Sequence, residues 1–265
     1  MGYSANTAAA VEVRSLQKHF PGRGKAEALH VLDNADLMVP EGQMCTIVGP
    51  SGCGKSSLLN IIAGILPPTD GEVYIFGQAS RGFDRRLGYM FQKDTLLPWA
   101  TALQNVKLPL VAAGAVGESQ DEIARNLLSL VGLHGFENRF PRELSGGMRK
   151  RVQLARLLAQ EPEILLMDEP FGALDAQTKL IMQEEFLRIW EARRQTVLFV
   201  THDLQEAIAL GDRVVLMSAR PGRIKGDWEV NLPRPRHIME AIENSRFVLL
   251  FHEIWKSLKE EVTSL

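Results

Sequence analysis

The segment Gly49-Pro50-Ser51-Gly52-Cys53-Gly54-Lys55-Ser56 constrains the fold of this chain more than any other feature. It fits the pattern G-x-x-x-x-G-K-[ST] in full, between an apolar, β-branched run at Met44–Val48 and a helical pattern at Ser57–Leu66. Glycines let the backbone curl so that several N–H groups point inward, and the following helix N-terminus adds a positive dipole end. Such a loop binds a triphosphate, with Lys55 as a cation for the β- and γ-phosphates and Ser56 as a hydroxyl ligand for Mg²⁺.

Strand and helix patterns alternate along most of the chain, and the stretch 101–160 has a helical pattern. Strands are predicted at Val11–Leu16, Val31–Val39, Met44–Val48, Gly71–Gly77, Leu87–Phe91, Ile164–Met167, Val197–Val200 and Val214–Met217. Helices are predicted at Ser57–Leu66, Asp121–Val131, Met148–Ala159, Thr178–Ala192, Leu204–Leu210 and Ile238–Leu258, the last as one helix or a pair. Because this alternation is typical of strand–helix–strand crossovers, it predicts an α/β fold with a parallel sheet covered on both faces.

Two adjacent carboxylates, Asp168 and Glu169, follow the apolar strand Ile164–Met167. Burying carboxylates at the end of an apolar strand costs desolvation free energy, which favours a functional role for them. The alternative is an ordinary turn at the end of the strand. The phosphate loop upstream favours a catalytic interpretation. Asp168 would hold Mg²⁺ through water, and Glu169 would be the general base for the attacking water.

A third motif, Leu144-Ser145-Gly146-Gly147-Met148, opens the helical pattern at Met148–Ala159. Its serine and glycines, at a helix start, would form a second anion-binding site. Together with the phosphate loop and the acidic strand end, in this order, the motif strongly resembles the signature of ABC-type ATPases. The resemblance covers about Val11 to Leu232.

The resemblance implies a P-loop NTPase of the ABC ATPase type. This has a RecA-like parallel-sheet core, an antiparallel β subdomain and an inserted α-helical subdomain. We expect one domain over residues 1–265: a catalytic core at 1–92 and 161–232, a helical subdomain at 93–160 carrying the signature, and a C-terminal helical tail at 233–265. The apolar face of that tail packs on its own domain or binds a partner.

The resemblance also assigns single residues. Gln92 matches the Q-loop glutamine, which contacts Mg²⁺ and the water, and His202 matches the switch histidine, which contacts the γ-phosphate. Asp175 matches the D-loop residue, which crosses the dimer interface. Phe20 stands where the family places an aromatic ring on adenine, or is a core residue. Cys53 precedes a helix start, which can lower a thiol pKa, or is a small buried residue.

The chain departs from the family at Met148 and Lys150, where Gln is common, and at Ser57, which replaces Thr. None of these changes removes a catalytic residue, so we expect an active ATPase that uses ATP and Mg²⁺. In the family, the phosphate loop of one subunit faces the signature of another. One set of motifs per chain therefore implies a second ATPase subunit, most simply in a homodimer.

Two further stretches resemble importers of the nitrate, sulfonate and taurine group: Leu96-Leu97-Pro98-Trp99 and the tail from Met217 to Arg236, with its Arg220-Pro-Gly-Arg223 turn. The resemblance implies the motor of a bacterial importer for a small anion or sulfonate-like solute. Its partners would be two transmembrane permease subunits and, indirectly, a substrate-binding protein. Trp99 either contacts the membrane partner or is a core residue. The turn could also be a solvated loop without function.

Composition limits the alternatives. Thirty basic and 32 acidic residues give a net charge of −2, so we expect no nucleic acid partner, and the Arg149-Lys150-Arg151 run is interpreted as a solvated helix face. Two cysteines make no disulfide framework, no apolar run approaches the roughly 20 residues of a membrane span, and Met1–Asn6 lacks signal-peptide features. We expect a cytoplasmic protein, peripheral on the inner face of the cell membrane. The alternative is a soluble ABC-type ATPase without a channel, in iron–sulfur cluster assembly or DNA repair.

Overall fold

The computed structural model describes residues 9–22, 28–114 and 119–263, so the expectation about Met1–Asn6 lies outside the described residues. The strands are β1 (Ala9–Phe20), β2 (Leu29–Pro40), β3 (Met44–Val48), β4 (Asp70–Ile75), β5 (Gln78–Ala79), β6 (Leu87–Met90), β7 (Ile164–Asp168), β8 (Thr196–Val200), β9 (Arg213–Met217) and β10 (Ile224–Glu229). The helices are α1 (Lys55–Ile62), α2 (Ala102–Ala112), α3 (Ser119–Leu130), α4 (Gly146–Ala159), α5 (Ala176–Arg193), α6 (Leu204–Leu210), α7 (Ile238–Glu243) and α8 (Ser245–Thr263). Across the described ranges, no helix is both long and apolar enough to span a bilayer.

A six-stranded sheet in the order β10-β9-β3-β8-β7-β6 forms the centre of the fold. The pairs β9–β3, β3–β8, β8–β7 and β7–β6 are parallel, and β10 is antiparallel to β9 at the edge. Parallel strands end at the same edge of a sheet, so the segments that follow β3, β6, β7 and β8 meet there. This edge carries the candidate site.

A second sheet, in the order β2-β1-β4-β5, is antiparallel throughout. The predicted fold class, with a parallel core, an antiparallel β subdomain and helices inserted between β6 and β7, is confirmed. The central strands are buried on both faces, as their continuous apolar runs predict. In β3, Met44 and Val48 join the core that contains the larger helices, while Cys45 and Ile47 join the core under the antiparallel sheet.

The inserted helices include α2, which the sequence pattern did not resolve as a separate element. Thr101 caps its N-terminus in a capping box: its hydroxyl accepts from the Gln104 N–H at 3.3 Å, and the Gln104 side chain accepts from the Thr101 N–H at 2.8 Å. The helix α1 runs from Lys55 to Ile62, whereas Ser57–Leu66 was predicted. Gly64, at φ +70°, ends it in the left-handed conformation that glycine adopts easily.

The C-terminal tail forms a helix pair, which is one of the two predicted arrangements, and it packs on its own domain. Phe247, Leu250, Ile254 and Leu258 lie on one face of α8 and are buried in the larger apolar core. Strand β10 was not predicted, because its sequence, Ile-Lys-Gly-Asp-Trp-Glu, has only a weak apolar pattern. Its half-buried and exposed residues alternate, as in an edge strand.

Candidate nucleotide-binding and catalytic site

The phosphate loop connects the carboxyl end of β3 to the N-terminus of α1. Gly54 is the N-cap residue of α1 at φ +109°, a conformation that other residues rarely adopt. A Cβ at this position would also lie 2.8 Å from Leu32 Cδ2, so both the backbone conformation and the close packing favour glycine here. The loop therefore presents the positive end of α1 at the edge of the sheet.

The Lys55 side chain is folded into this loop and buried. Its Nζ donates to the carbonyl oxygens of Gly49 at 2.7 Å and Pro50 at 3.0 Å. The ammonium thus lies inside the curl of the loop, where the sequence places the phosphates. Phosphate oxygens are stronger acceptors than these carbonyls for a charged donor.

Ser56 and Asp168 meet across the gap between α1 and β7, with Ser56 Oγ donating to Asp168 Oδ1 at 3.0 Å. Burial raises the pKa of the Asp168 carboxyl and the neighbouring Glu169 adds to the rise, whereas the Ser56 hydrogen bond and Lys55 oppose it. A hydroxyl and a carboxylate side by side are oxygen ligands of the kind that Mg²⁺ prefers. The residues present fit the predicted ion.

The three residues predicted as catalytic converge at the end of β7. Gln92 Nε2 donates to Glu169 Oε2 at 2.9 Å, and His202 Nδ1 lies 3.3 Å from the same oxygen. Glu169 has φ +44°, and its N–H donates to the Val200 carbonyl oxygen at 3.0 Å. A strained backbone held by the adjacent strand is typical of a functional position. It directs the carboxylate toward the segments that follow β6 and β8.

The signature serine caps α4. Ser145 Oγ accepts from the Met148 N–H at 3.2 Å, and Leu144 is buried behind it. Ser145 and Gly146 are exposed, so the second anion site faces outward. Gly147 is buried against α5, where a Cβ would lie 2.6 Å from Thr178 Cγ2. Only a residue without a side chain lets the two helices approach this closely.

Asp175 caps the helix α5, accepting from the Thr178 N–H at 3.0 Å, and this backbone hydrogen bond lowers the pKa of its carboxyl. Capping α5 is therefore the role of Asp175 that the structure contains, and its role at a dimer interface stays a prediction.

Phe20 ends β1, half-buried against the core under the antiparallel sheet, so its contact with adenine also stays a prediction. Cys53 is buried and burial raises the pKa of its thiol, so the lowered pKa expected from the helix start is wrong.

The Arg149–Arg151 run does not form the solvated helix face expected from the sequence. Lys150 is 6% exposed, and its Nζ donates to the carbonyl oxygens of Gln92 at 2.9 Å and Phe91 at 3.4 Å. Arg149 pairs with Asp94 at 2.8 Å on the same loop. The signature helix therefore holds the loop that carries Gln92. The only sequence signal was the departure from Gln at position 150.

Arg220 is a second residue at the site that the sequence did not assign individually. Its guanidinium donates to the Gly52 carbonyl oxygen of the phosphate loop at 2.9 and 3.0 Å. The Arg220-Pro-Gly-Arg223 turn is therefore bound to the phosphate loop, although the Arg220 and Arg223 side chains are exposed, and a function for it stays a prediction. The sequence singled out this turn only through its resemblance to the importer group.

Trp99 is 73% exposed, which excludes the alternative of a core residue. A groove of about 680 Å³ separates α2 from β6 and the end of α1. Apolar side chains dominate its lining, among them Ile65, Phe83, Tyr89, Phe91 and Pro109. An apolar groove and an exposed tryptophan are each typical of an interaction surface.

Comparison with known proteins places these features in a family. The family model described as ABC transporter matches residues 32–172. The taurine import ATP-binding protein TauB of Rhizobium johnstonii is 48% identical over 208 residues, covering 78% of this chain and 79% of that protein. The aliphatic sulfonates import ATP-binding protein SsuB of Bacillus cereus is 42% identical over 226 residues, covering 85% and 88%.

The fold of this chain is also similar to that of a solved ATP-binding cassette. The dimeric, post-hydrolysis structure of the ATP-binding cassette MJ0796, bound to ADP and Pi, superposes with a TM-score of 0.75. It is 35% identical and covers 84% of this chain and all of that chain. The chain therefore belongs to the ABC transporter family and is an ATPase of that family.

Proposed function

We propose that this chain is the ATP-hydrolysing motor of an importer for a sulfonate-, taurine- or nitrate-like anion, working as a homodimer on two permease subunits. Two relatives named for taurine and aliphatic sulfonate import, at 48% and 42% identity, support the substrate class. The convergence of Gln92 and His202 on one oxygen of Glu169 carries the hydrolytic part of the proposal.

ATP would bind with its β- and γ-phosphates in the phosphate loop. Lys55 would exchange the Gly49 and Pro50 carbonyl oxygens for phosphate oxygens, a small movement for a side chain already inside the loop. Ser56, Gln92 and Asp168 would hold Mg²⁺, Asp168 through water. The ion supplies charge neutralisation for the phosphates when bound.

Glu169 would accept a proton from the attacking water. The water oxygen bonds to the γ-phosphorus while the bond to the β–γ bridging oxygen breaks, and that electron pair leaves with ADP. Gln92 and His202 both reach Glu169 Oε2, so both can orient the water and the γ-phosphate around it. The proton remains on Glu169 until it passes to solvent or phosphate.

The outward-facing signature supports a dimer. Ser145 and Gly146 are exposed at the start of α4, whereas Lys55 and Ser56 belong to the start of α1. A second subunit would place its signature against the ATP held by the first, with Asp175 at the interface. The γ-phosphate then joins the two subunits, and its loss favours the open state.

The groove between α2 and β6 suits a permease segment at the cytoplasmic face of the membrane. Its apolar lining and the exposed Trp99 would provide contact area for such a segment. The described helices of this chain include none that could span a membrane. The groove also adjoins Phe91, the residue before Gln92. A segment seated there would contact the loop that reaches Glu169, which links transport to hydrolysis.

The test is recovery of a polytopic membrane protein with tagged chain from native membranes in mild detergent. We expect Ile65→Glu, at the groove, to lose this partner, and Val262→Glu, on an equally exposed apolar residue of α8, to keep it. Cells lacking the chain should lose ATP-dependent uptake of taurine, an aliphatic sulfonate or nitrate. Recovery of soluble proteins alone would contradict the importer proposal.

A further inference from the structure

The turn that joins β9 to β10, residues 218–223, is packed directly on the phosphate loop. Gly222 comes so close that a Cβ there would lie 2.1 Å from the Cys53 carbonyl oxygen. Its N–H donates to the Val31 carbonyl oxygen at 2.9 Å, and its own carbonyl accepts from the Asp33 N–H at 3.1 Å. The turn is therefore fixed between β2 and the phosphate loop.

Arg220 uses this position to hold one peptide unit of the phosphate loop. Its Nε and Nη2 both donate to the Gly52 carbonyl oxygen, at 3.0 and 2.9 Å. That carbonyl and the Cys53 N–H belong to one planar peptide and point in opposite directions. The Cys53 N–H is thereby turned toward Pro50, whose carbonyl oxygen it meets at 3.3 Å and which also accepts from Lys55.

Without Arg220, this peptide could rotate more easily, because the hydrogen bond from the Cys53 N–H to Pro50 is long, at 3.3 Å, and Gly52, at φ +77°, tolerates either orientation. Rotation would turn a carbonyl, instead of an N–H, toward the phosphate groups. Arg220 is always charged and directs two donors at one carbonyl oxygen, which suits it to hold a single orientation of this peptide.

The C-terminal helix reaches the same turn. Glu261, in the last turn of α8, is buried, and its Oε2 accepts from the Ala219 N–H at 2.7 Å. Lys225 pairs with Glu261 and lies 3.4 Å from Glu260. The residue immediately before Arg220 is therefore fixed by α8.

We propose that Arg220 is a positioning residue for the phosphate loop, and that α8 sets its position through Glu261, so that the C-terminal helix controls ATP affinity. The proposal rests on ATP binding at this loop and does not depend on import. Its tests use the isolated full chain, so they distinguish its failure from failure of the importer proposal.

The first test measures the Kd of a fluorescent ADP analogue, the KM for ATP and kcat in three variants. Arg220→Met should raise Kd and KM about tenfold and leave kcat within about twofold, because it removes two charge-assisted hydrogen bonds from the binding loop. Arg220→Lys keeps one donor and should raise them about threefold. Arg223→Met, on the same turn but paired with Asp33, should change neither.

An unchanged Kd in folded Arg220→Met, or an equal rise in Arg223→Met, would overturn the proposal. If Arg220→Met does not fold, Arg220→Lys decides: a wild-type Kd refutes the positioning role, and an intermediate Kd supports it.

The second test is a double-mutant cycle between Arg220 and Glu261. Glu261→Ala should raise Kd about threefold in the wild-type background and have no further effect in Arg220→Met. Glu253→Ala, which removes a partner of Trp228 from the same helix, is the control and should leave Kd unchanged. An unchanged Kd in Glu261→Ala, or the same factor in both backgrounds, would show that α8 does not act through Arg220.

Discussion

The buried Lys150 provides the sharpest test of how the signature helix is linked to the catalytic residues. We expect Lys150→Met to lower kcat, because Lys150 Nζ donates to the Gln92 carbonyl oxygen at 2.9 Å and so holds the residue whose side chain reaches Glu169. Methionine fills a similar volume without a donor, so the change removes the hydrogen bonds and keeps the packing.

The size of the effect follows from the two contacts. A hydrogen bond from a charged donor contributes about 1.5–3 kcal/mol. The contact with Phe91 is long, at 3.4 Å, and burial lowers the pKa of the Lys150 ammonium, so the net contribution is at the low end. A loss of about 2 kcal/mol from the transition state corresponds to a roughly 30-fold fall in kcat.

Steady-state phosphate release by the isolated chain measures this effect. Lys107→Met is the control, because Lys107 pairs with Asp121 on the neighbouring helix and has no hydrogen bond to Gln92 or Phe91 in the described structure. The control should stay within about twofold of wild type. A folded Lys150→Met variant with wild-type kcat would refute the link.

Two stability predictions follow from close packing and buried charge. Gly147→Ala should lower the free energy of unfolding by about 1–3 kcal/mol, because its Cβ would lie 2.6 Å from Thr178 Cγ2. Gly146→Ala, whose Cβ would meet Arg149 Nη2 at an ordinary 4.0 Å, should have a smaller effect, and equal urea midpoints would contradict this. Arg236→Met should cost about 2–4 kcal/mol, because the buried guanidinium donates to several carbonyl oxygens, including that of Gly211. Arg236→Lys should restore little, since an ammonium cannot reproduce the planar fork, and full recovery of the urea midpoint would contradict this explanation.

Much of the site was predictable because its residues stand at strand ends. Once β3, β7 and β8 were interpreted as parallel, the segments after them had to meet at one edge, which brought Ser56, Asp168 and His202 into one region. Local signals also predicted the start of α4, because a serine followed by glycines is a typical helix start.

Contacts between distant polar residues were not predictable. Lys150 and Arg220 lie in charged, polar stretches that resemble solvated surface, and their partners, Gln92 and Gly52, stand far away in the sequence. Backbone carbonyls carry no side-chain signature, so only the packed structure reveals that they are bound. Strand β10 was missed for a related reason: an edge strand with one half-buried face has a weak apolar pattern.

The central claim is that Glu169 removes the proton from the attacking water and that hydrolysis then opens an ATP-bound dimer. The most direct measurement is the rate of phosphate release by Glu169→Gln with Mg²⁺ and saturating ATP. Glutamine keeps the shape and the contact with Gln92 and cannot accept the proton, so we expect a fall of about 10²–10⁴-fold, with ATP-bound dimers accumulating. Turnover near the wild-type rate would contradict this account.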